Sequence, residues 1–285
     1  MTQDHTTSLL EFAHTLAHEA GQRLMAWFGR SASVVKRDGS LVTQADVDVD
    51  HLVQTAVRRR FPHHGVISEE GAHVYGGEEF TWVVDPLDGT TNFANGLSHW
   101  GVSLALLHQG QPLVSVLDFP ALGHRFAAAR GQGAWFQGRR LQTPPAPDLH
   151  GNLFIALDSR APRLLDVRLR LKPRVLGSAA YDLAAVGAGM AAASIQLTPK
   201  VWDLAGAWLV AEEAGAAVGT LLSGVEVFPL RPGVDYGIAI FPLLFAADPT
   251  AWRQVRQATR LRPAVERYLP RLTAQGWRVD LPIDT

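Results

Sequence analysis

Residues 85–93 read DPLDGTTNF, and no other stretch constrains the chain so strongly. Asp85 and Asp88 stand three positions apart at the end of an apolar, strand-like run that includes Phe80, Trp82, Val83 and Val84. Two carboxylates at a strand terminus repel and desolvate one another unless a cation lies between them. Mg²⁺ suits such a pair, because it takes carboxylate and backbone oxygens and keeps waters that a phosphate can displace. The Gly-Thr-Thr turn that follows supplies what a phosphate needs. Gly89 permits close backbone approach, and Thr90 and Thr91 bring hydroxyls and N–H groups.

Composition narrows the class. The 285 residues suffice for one large domain or two modest ones, and 47% hydrophobic with 19% charged residues reads as globular. A formal net charge of −1 leaves no global footprint for nucleic acid. The absence of cysteine excludes disulfides, thiolate metal sites and cysteine nucleophiles. The first residues, MTQDHTTSLLEF, lack the basic and apolar regions of a signal peptide, and no apolar stretch is long enough to span a bilayer. The expectation is a cytoplasmic enzyme without membrane partners.

Along the chain, Leu9, Ala13, Leu16, Ala17, Ala20 and Leu24 recur at helical spacing, and a second helix is expected over 43–60 with Thr43 as N-cap. Strands are expected over 66–68, 81–85, 102–107 and 113–118, with a hairpin across 125–136. The proline-bearing segment 143–151 reads as a linker, dividing the chain into an α+β domain (1–144) and an α/β domain (145–285). In the second, strands at 153–157 and 174–176 precede helices at 179–191 and 201–214, then strands near Ala217 and Tyr236 and a helix after Pro249.

With DPLDGTTNF, the segments LVTQAD (41–46), ISEEG (67–71) and WDLAGA (202–207) occur in the order found in the inositol monophosphatase family, part of the lithium-sensitive, Mg²⁺-dependent phosphatase superfamily, which this chain resembles from about Lys36 to Pro242. The resemblance implies a mixed α/β fold, the layered αβαβα sandwich of sugar and inositol phosphatases, with the site between its halves. It implies two or three Mg²⁺ ions: Asp85 bridging, Glu69 and the Leu87 carbonyl on the first, Asp88 and Asp203 on the second. Thr90 would hold the attacking water while Asp46 accepts the Thr90 proton, and Glu69 would share that water. Gly89, Thr90, Thr91, Gly177, Ser178, Gln196 and Lys36 would contact substrate. A homodimer and lithium inhibition are further implications.

The match departs at Gln196, seven residues before Asp203, where inositol-selective members carry an acid that contacts ring hydroxyls. An amide still bonds a hydroxyl but lacks a carboxylate's charge-assisted strength. The expected activity is therefore hydrolysis of inositol monophosphate or a similar small polyol or sugar phosphate. Fructose 1,6-bisphosphate, histidinol phosphate or a nucleoside bisphosphate are alternatives, as is a regulatory protein that keeps the fold and binds a macromolecule.

Other patterns read more plainly. Asp46, Asp48 and Asp50 open like a calcium-binding loop, but His51 and Val57 occupy positions that need Gly and Glu, so Asp48 and Asp50 are expected on a solvated helix face. Gly187, Gly189 and Ala192 follow a helical pattern rather than a strand, which favours close helix packing over dinucleotide binding. Glu70 is expected behind the ligands or in solvent, and His99 and Trp100 at the site rim or in the core. Arg168, Arg170, Lys172 and Arg174 form either a solvated face or a second anion subsite.

Overall fold

The computed structural model describes residues 3–30, 33–35, 41–146, 148–222 and 225–262. Seven strands form the first sheet, in chain order: β3 (Gly65–Ser68), β4 (Phe80–Asp88), β5 (Gly101–His108), β6 (Gln111–Phe119), β7 (His124–Ala129), β8 (Gly133–Phe136) and β9 (Arg139–Arg140). Only β3 and β4 run parallel; the other pairs are antiparallel. A small ribbon of β1 (Ser33–Val35) and β2 (Leu41–Thr43) precedes them.

Strand periodicity sends alternate residues of this sheet to two different cores. Trp82, Val84, Leu104, Leu106, Val114 and Val116 pack on one face against α1 (Gln3–Trp27) and α2 (Gln44–Arg60). Val83, Ala105, Leu107, Leu117 and Phe126 pack on the other against α5 (Ala179–Gly187) and α6 (Val201–Glu213).

A five-stranded sheet covers the far side of α5 and α6, in spatial order β12 (Lys172–Arg174), β10 (Phe154–Leu157), β13 (Ala193–Gln196), β15 (Leu243–Ala246) and β14 (Ala217–Thr220). Leu243 and Phe245 point to the helices, whereas Leu244 and Ala246 join Ala251 and Val255 of α7 (Pro249–Ala258). The result is a mixed α/β protein with the layers αβαβα. Short elements complete it: α3 (Thr90–Ala94), α4 (Ala161–Leu164), a 3₁₀ turn (Pro120–Leu122), and β11 (Leu165–Val167) paired with β16 (Thr259–Leu261). Among the described residues, no helix is long and apolar enough to cross a membrane.

Several expectations need correction. The strand expected at 174–176 lies at Lys172–Arg174, and the region near Tyr236 carries an isolated bridge, Val74 to Asp235, while the strand is Leu243–Ala246. The helix expected over 179–191 stops at Gly187, and Gly189 turns the chain with φ +69°. Gly187 itself sits where a Cβ would stand 2.9 Å from Ala211 Cα, so the packing reading of these glycines holds. Asp50 is not solvated: it is buried and accepts from Ser68 Oγ and Gln54 Nε2, the latter at 2.7 Å. Asp48, more open, accepts from Trp27 Nε1 at 3.0 Å and from Arg23.

Candidate active site

The signature ends β4 with a bulge. Asp85 faces Ser103 of β5 and Asp88 faces Gly101, so one extra residue is inserted between the two acids. In a regular strand, residues three apart project to opposite faces; the bulge brings both carboxylates to one side. Pro86 fits there because a bulged residue needs no ladder N–H.

The starts of several helices converge on the strand end. Asp203 lies in the first turn of α6, where its carboxylate accepts the Lys200 N–H at 2.8 Å, and the Trp202 carbonyl accepts Ser103 Oγ at 3.1 Å, which fixes the start of α6 beside Asp85. At the start of α5, Asp88 accepts from Ser178 Oγ and from the N–H groups of Ala179 (3.1 Å) and Ala180 (3.0 Å). Helix N-termini favour negative charge, so both acids occupy positions that suit them. Asp85 Oδ1 accepts the Leu87 N–H at 3.0 Å.

These bonds do not compensate fully for removal from water. Burial, then Glu69, Asp203 and Asp88, push the Asp85 carboxyl well above the usual range. Asp203, though partly open to solvent, is raised likewise by its surroundings and by Asp88 and Glu69. Asp88 is pushed up to about 6, mainly by burial and in spite of its donors. Buried acids raised in this way, two of them by neighbouring carboxylates as well, mark a place that a cation would stabilise.

Among the described residues, no three acids or histidines form a ready cage for a single ion. Mg²⁺ takes one or two protein carboxylates and completes its octahedron with water and phosphate oxygens. The oxygens of Glu69, Asp85, Leu87, Asp88 and Asp203 are hard donors of the kind Mg²⁺ takes.

Thr90 stands at the start of α3, its Oγ1 3.0 Å from the Leu87 carbonyl and 3.3 Å from Asp46 Oδ1. Its single proton serves one acceptor at a time, the nearer being Leu87. Asp46 is held by its own helix start: Thr43 N–H (2.7 Å) and Thr43 Oγ1 (2.6 Å) both donate to Oδ2, and Thr43 caps α2 as expected. Burial raises the Asp46 carboxyl.

A cavity of about 180 Å³ brings Asp88, Gly177, Ser178, Gln196 and Asp203 together with Arg160; Glu69, Asp85, Thr90 and Asp46 are not in its lining among the described residues. Thr91 is exposed on α3, and Lys36 lies outside the described residues. A second cavity, about 730 Å³, lies between α1 and the β7–β8 hairpin and holds none of these residues. Trp100 is buried in the α1/α2 core, and His99 packs edge-on to Tyr181 at 5.5 Å. The run from Arg168 to Arg174 presents its four basic side chains to solvent.

Sequence reasoning missed three positions. Asn92, inside the signature itself, donates to the carbonyls of His99 (2.6 Å) and Leu176 (2.7 Å) and ties α3 to the approach to Gly177. His73 donates to the Glu69 carbonyl at 3.0 Å and lies against the Trp202 ring. Asp182 is buried beside Gln196, and nothing in its local sequence announces that.

Gly89 has φ +88°, and a Cβ there would meet the His99 carbonyl at 2.6 Å. Gly89→Ala is expected to cost about 2–5 kcal/mol, from left-handed strain plus overpacking. A thermal melt of the variant checks this, and an unchanged melting temperature contradicts it.

The inositol monophosphatase family model matches residues 5–238. The fructose-1,6-bisphosphatase/inositol-1-monophosphatase of Thermotoga maritima is 32% identical over 224 residues, covering 76% of this chain and 86% of that protein. The Nus factor SuhB of Salmonella typhimurium is 34% identical over 200 residues, covering 66% and 75%. The solved structure of a Thermotoga maritima IMPase superposes with a TM-score of 0.75 at 27% identity, over 88% of this chain and 98% of that one. With four signature segments in order, the αβαβα layering and acids gathered at one strand end, the chain belongs to the inositol monophosphatase family.

Proposed function

We propose that the protein is a Mg²⁺-dependent phosphomonoesterase acting on inositol monophosphate or a similar small polyol or sugar phosphate, by direct attack of water. The observation that supports this reading most is geometric: the β4 bulge sets Asp85 and Asp88 close together, the start of α6 carries Asp203 beside them, and the Thr90–Asp46 pair adjoins.

When bound, Mg²⁺ supplies Lewis-acid activation of water and neutralises phosphate charge. The chain's own contribution is binding and orientation. Glu69, Asp85, Asp88, Asp203 and the Leu87 carbonyl hold the ions. When the Thr90 hydroxyl donates its hydrogen bond to Asp46 rather than to the Leu87 carbonyl, its Oγ1 lone pair is free to face the reacting water, and Asp46 is fixed for that task by Thr43. Such positioning is the main help a protein gives to phosphoryl transfer. Gly89, Thr91, Gly177, Ser178 and Lys36 are proposed around the phosphate, with Gln196 toward the alcohol.

The test is a screen of inositol, sugar, histidinol and nucleotide phosphates with Mg²⁺, in which a polyol or sugar monophosphate should turn over fastest. A second reading, a regulatory macromolecule-binding protein, draws support from the similarity to SuhB and from the exposed run of Arg168, Arg170, Lys172 and Arg174. Purified protein that binds a macromolecule stably and hydrolyses no phosphomonoester would favour it.

A further inference from the structure

We infer that Asp182 is a positioning residue: it anchors the nitrogen of the Gln196 amide, so that Gln196 offers its oxygen to the cavity and selects substrates whose alcohol carries a hydroxyl able to donate there. The inference rests on the phosphatase reading above.

Gln196 closes β13 and lines the cavity beside Asp88 and Asp203. Its amide nitrogen has two protons, and two acceptors take them: Asp182 Oδ2 at 3.1 Å and Ser194 Oγ at 3.1 Å. Asp182 projects from α5 and Ser194 lies two residues back on β13, so both anchors stand on rigid elements. With both protons committed, what remains of the amide is an acceptor. An amide free to rotate would present either end and discriminate less.

Asp182 is 1% exposed, and its Oδ1 makes no hydrogen bond among the described residues. A buried carboxyl half unsatisfied is unfavourable for stability and calls for another role. Asp182 itself belongs to the lining of the same cavity, and its bond to Gln196 places that role at the wall where the sequence departs from inositol-selective relatives. The anchoring needs only an acceptor oxygen at residue 182, so an asparagine can replace the acid, whereas alanine cannot.

The experiment compares glycerol 2-phosphate, which carries free hydroxyls, with p-nitrophenyl phosphate, which carries none, in Mg²⁺ with the full chain. In Asp182→Ala, KM for glycerol 2-phosphate should rise about tenfold with kcat little changed, the loss of one hydrogen bond, while KM for p-nitrophenyl phosphate stays put. Asp182→Asn should restore the wild-type ratio. Ser194→Ala, which cuts the other anchor, should shift the ratio in the same direction and stands in if Asp182→Ala does not fold. Equal losses on both substrates, no shift in the ratio, failure of Asn to rescue, or a wild type that ignores glycerol 2-phosphate would each overturn the inference. Hydrolysis of p-nitrophenyl phosphate by the wild type upholds the phosphatase reading whatever the variants do; hydrolysis of neither compound overturns both.

Discussion

Asp85→Asn should lower phosphatase activity about a thousandfold or more while the protein stays folded. The substituted amide keeps an oxygen for the Leu87 N–H and nearly the same volume, so the β4 bulge is undisturbed. What is lost is a charge shared by every neighbour: Glu69, Asp203 and Asp88 all bear on Asp85. Without metal, the amide spares the fold the cost of burying an ionisable carboxyl beside Glu69, Asp203 and Asp88, so the variant should melt at or above the wild-type temperature in chelator at neutral pH. Activity and stability therefore move in opposite directions, which separates a ligand from a structural acid. Activity within tenfold of wild type would remove Asp85 from the site.

The second large effect is the coupling of metal to stability. Asp85, Asp88 and Asp203 have folded values above those of the unfolded chain, where a carboxyl titrates near 4. Between the unfolded and the folded values, the native state holds protons that the unfolded chain has released, so stability falls as pH rises through that window. In chelator, the melting temperature should decline from about pH 4 upward, through about 6 for Asp88, with Asp85 and Asp203 acting in the same direction. Mg²⁺ at neutral pH should reverse this. A single site at a hundred times its Kd adds about 2.7 kcal/mol, or about 5–10 °C for a chain of this size. A melting temperature indifferent to Mg²⁺ in the wild type would count against a metal centre.

Much of this was legible in the sequence because it is local. Thr43 and Asp46 form a capping box within four residues, and the signature carries its own strand, bulge proline and helix start. The layers followed from the family resemblance and from apolar spacing in α1 and α2. What stayed hidden depends on distant contacts. Asp50 reads as a surface residue until β3 delivers Ser68 to it from 18 residues away. β15 is four residues long and buried on both faces, so it shows no alternation, and the pattern near Tyr236 drew the strand away from it. Asp182 and Gln196 meet only because α5 packs on β13, and neither residue is marked by a motif.

The most direct measurement is anomalous diffraction from crystals grown with Mn²⁺, an octahedral, oxygen-seeking stand-in for Mg²⁺. The account predicts one peak within about 2.2 Å of an Asp85 oxygen and a second between Asp88 and Asp203. Peaks confined to other parts of the surface, or none at all with Mn²⁺ in excess, would contradict it.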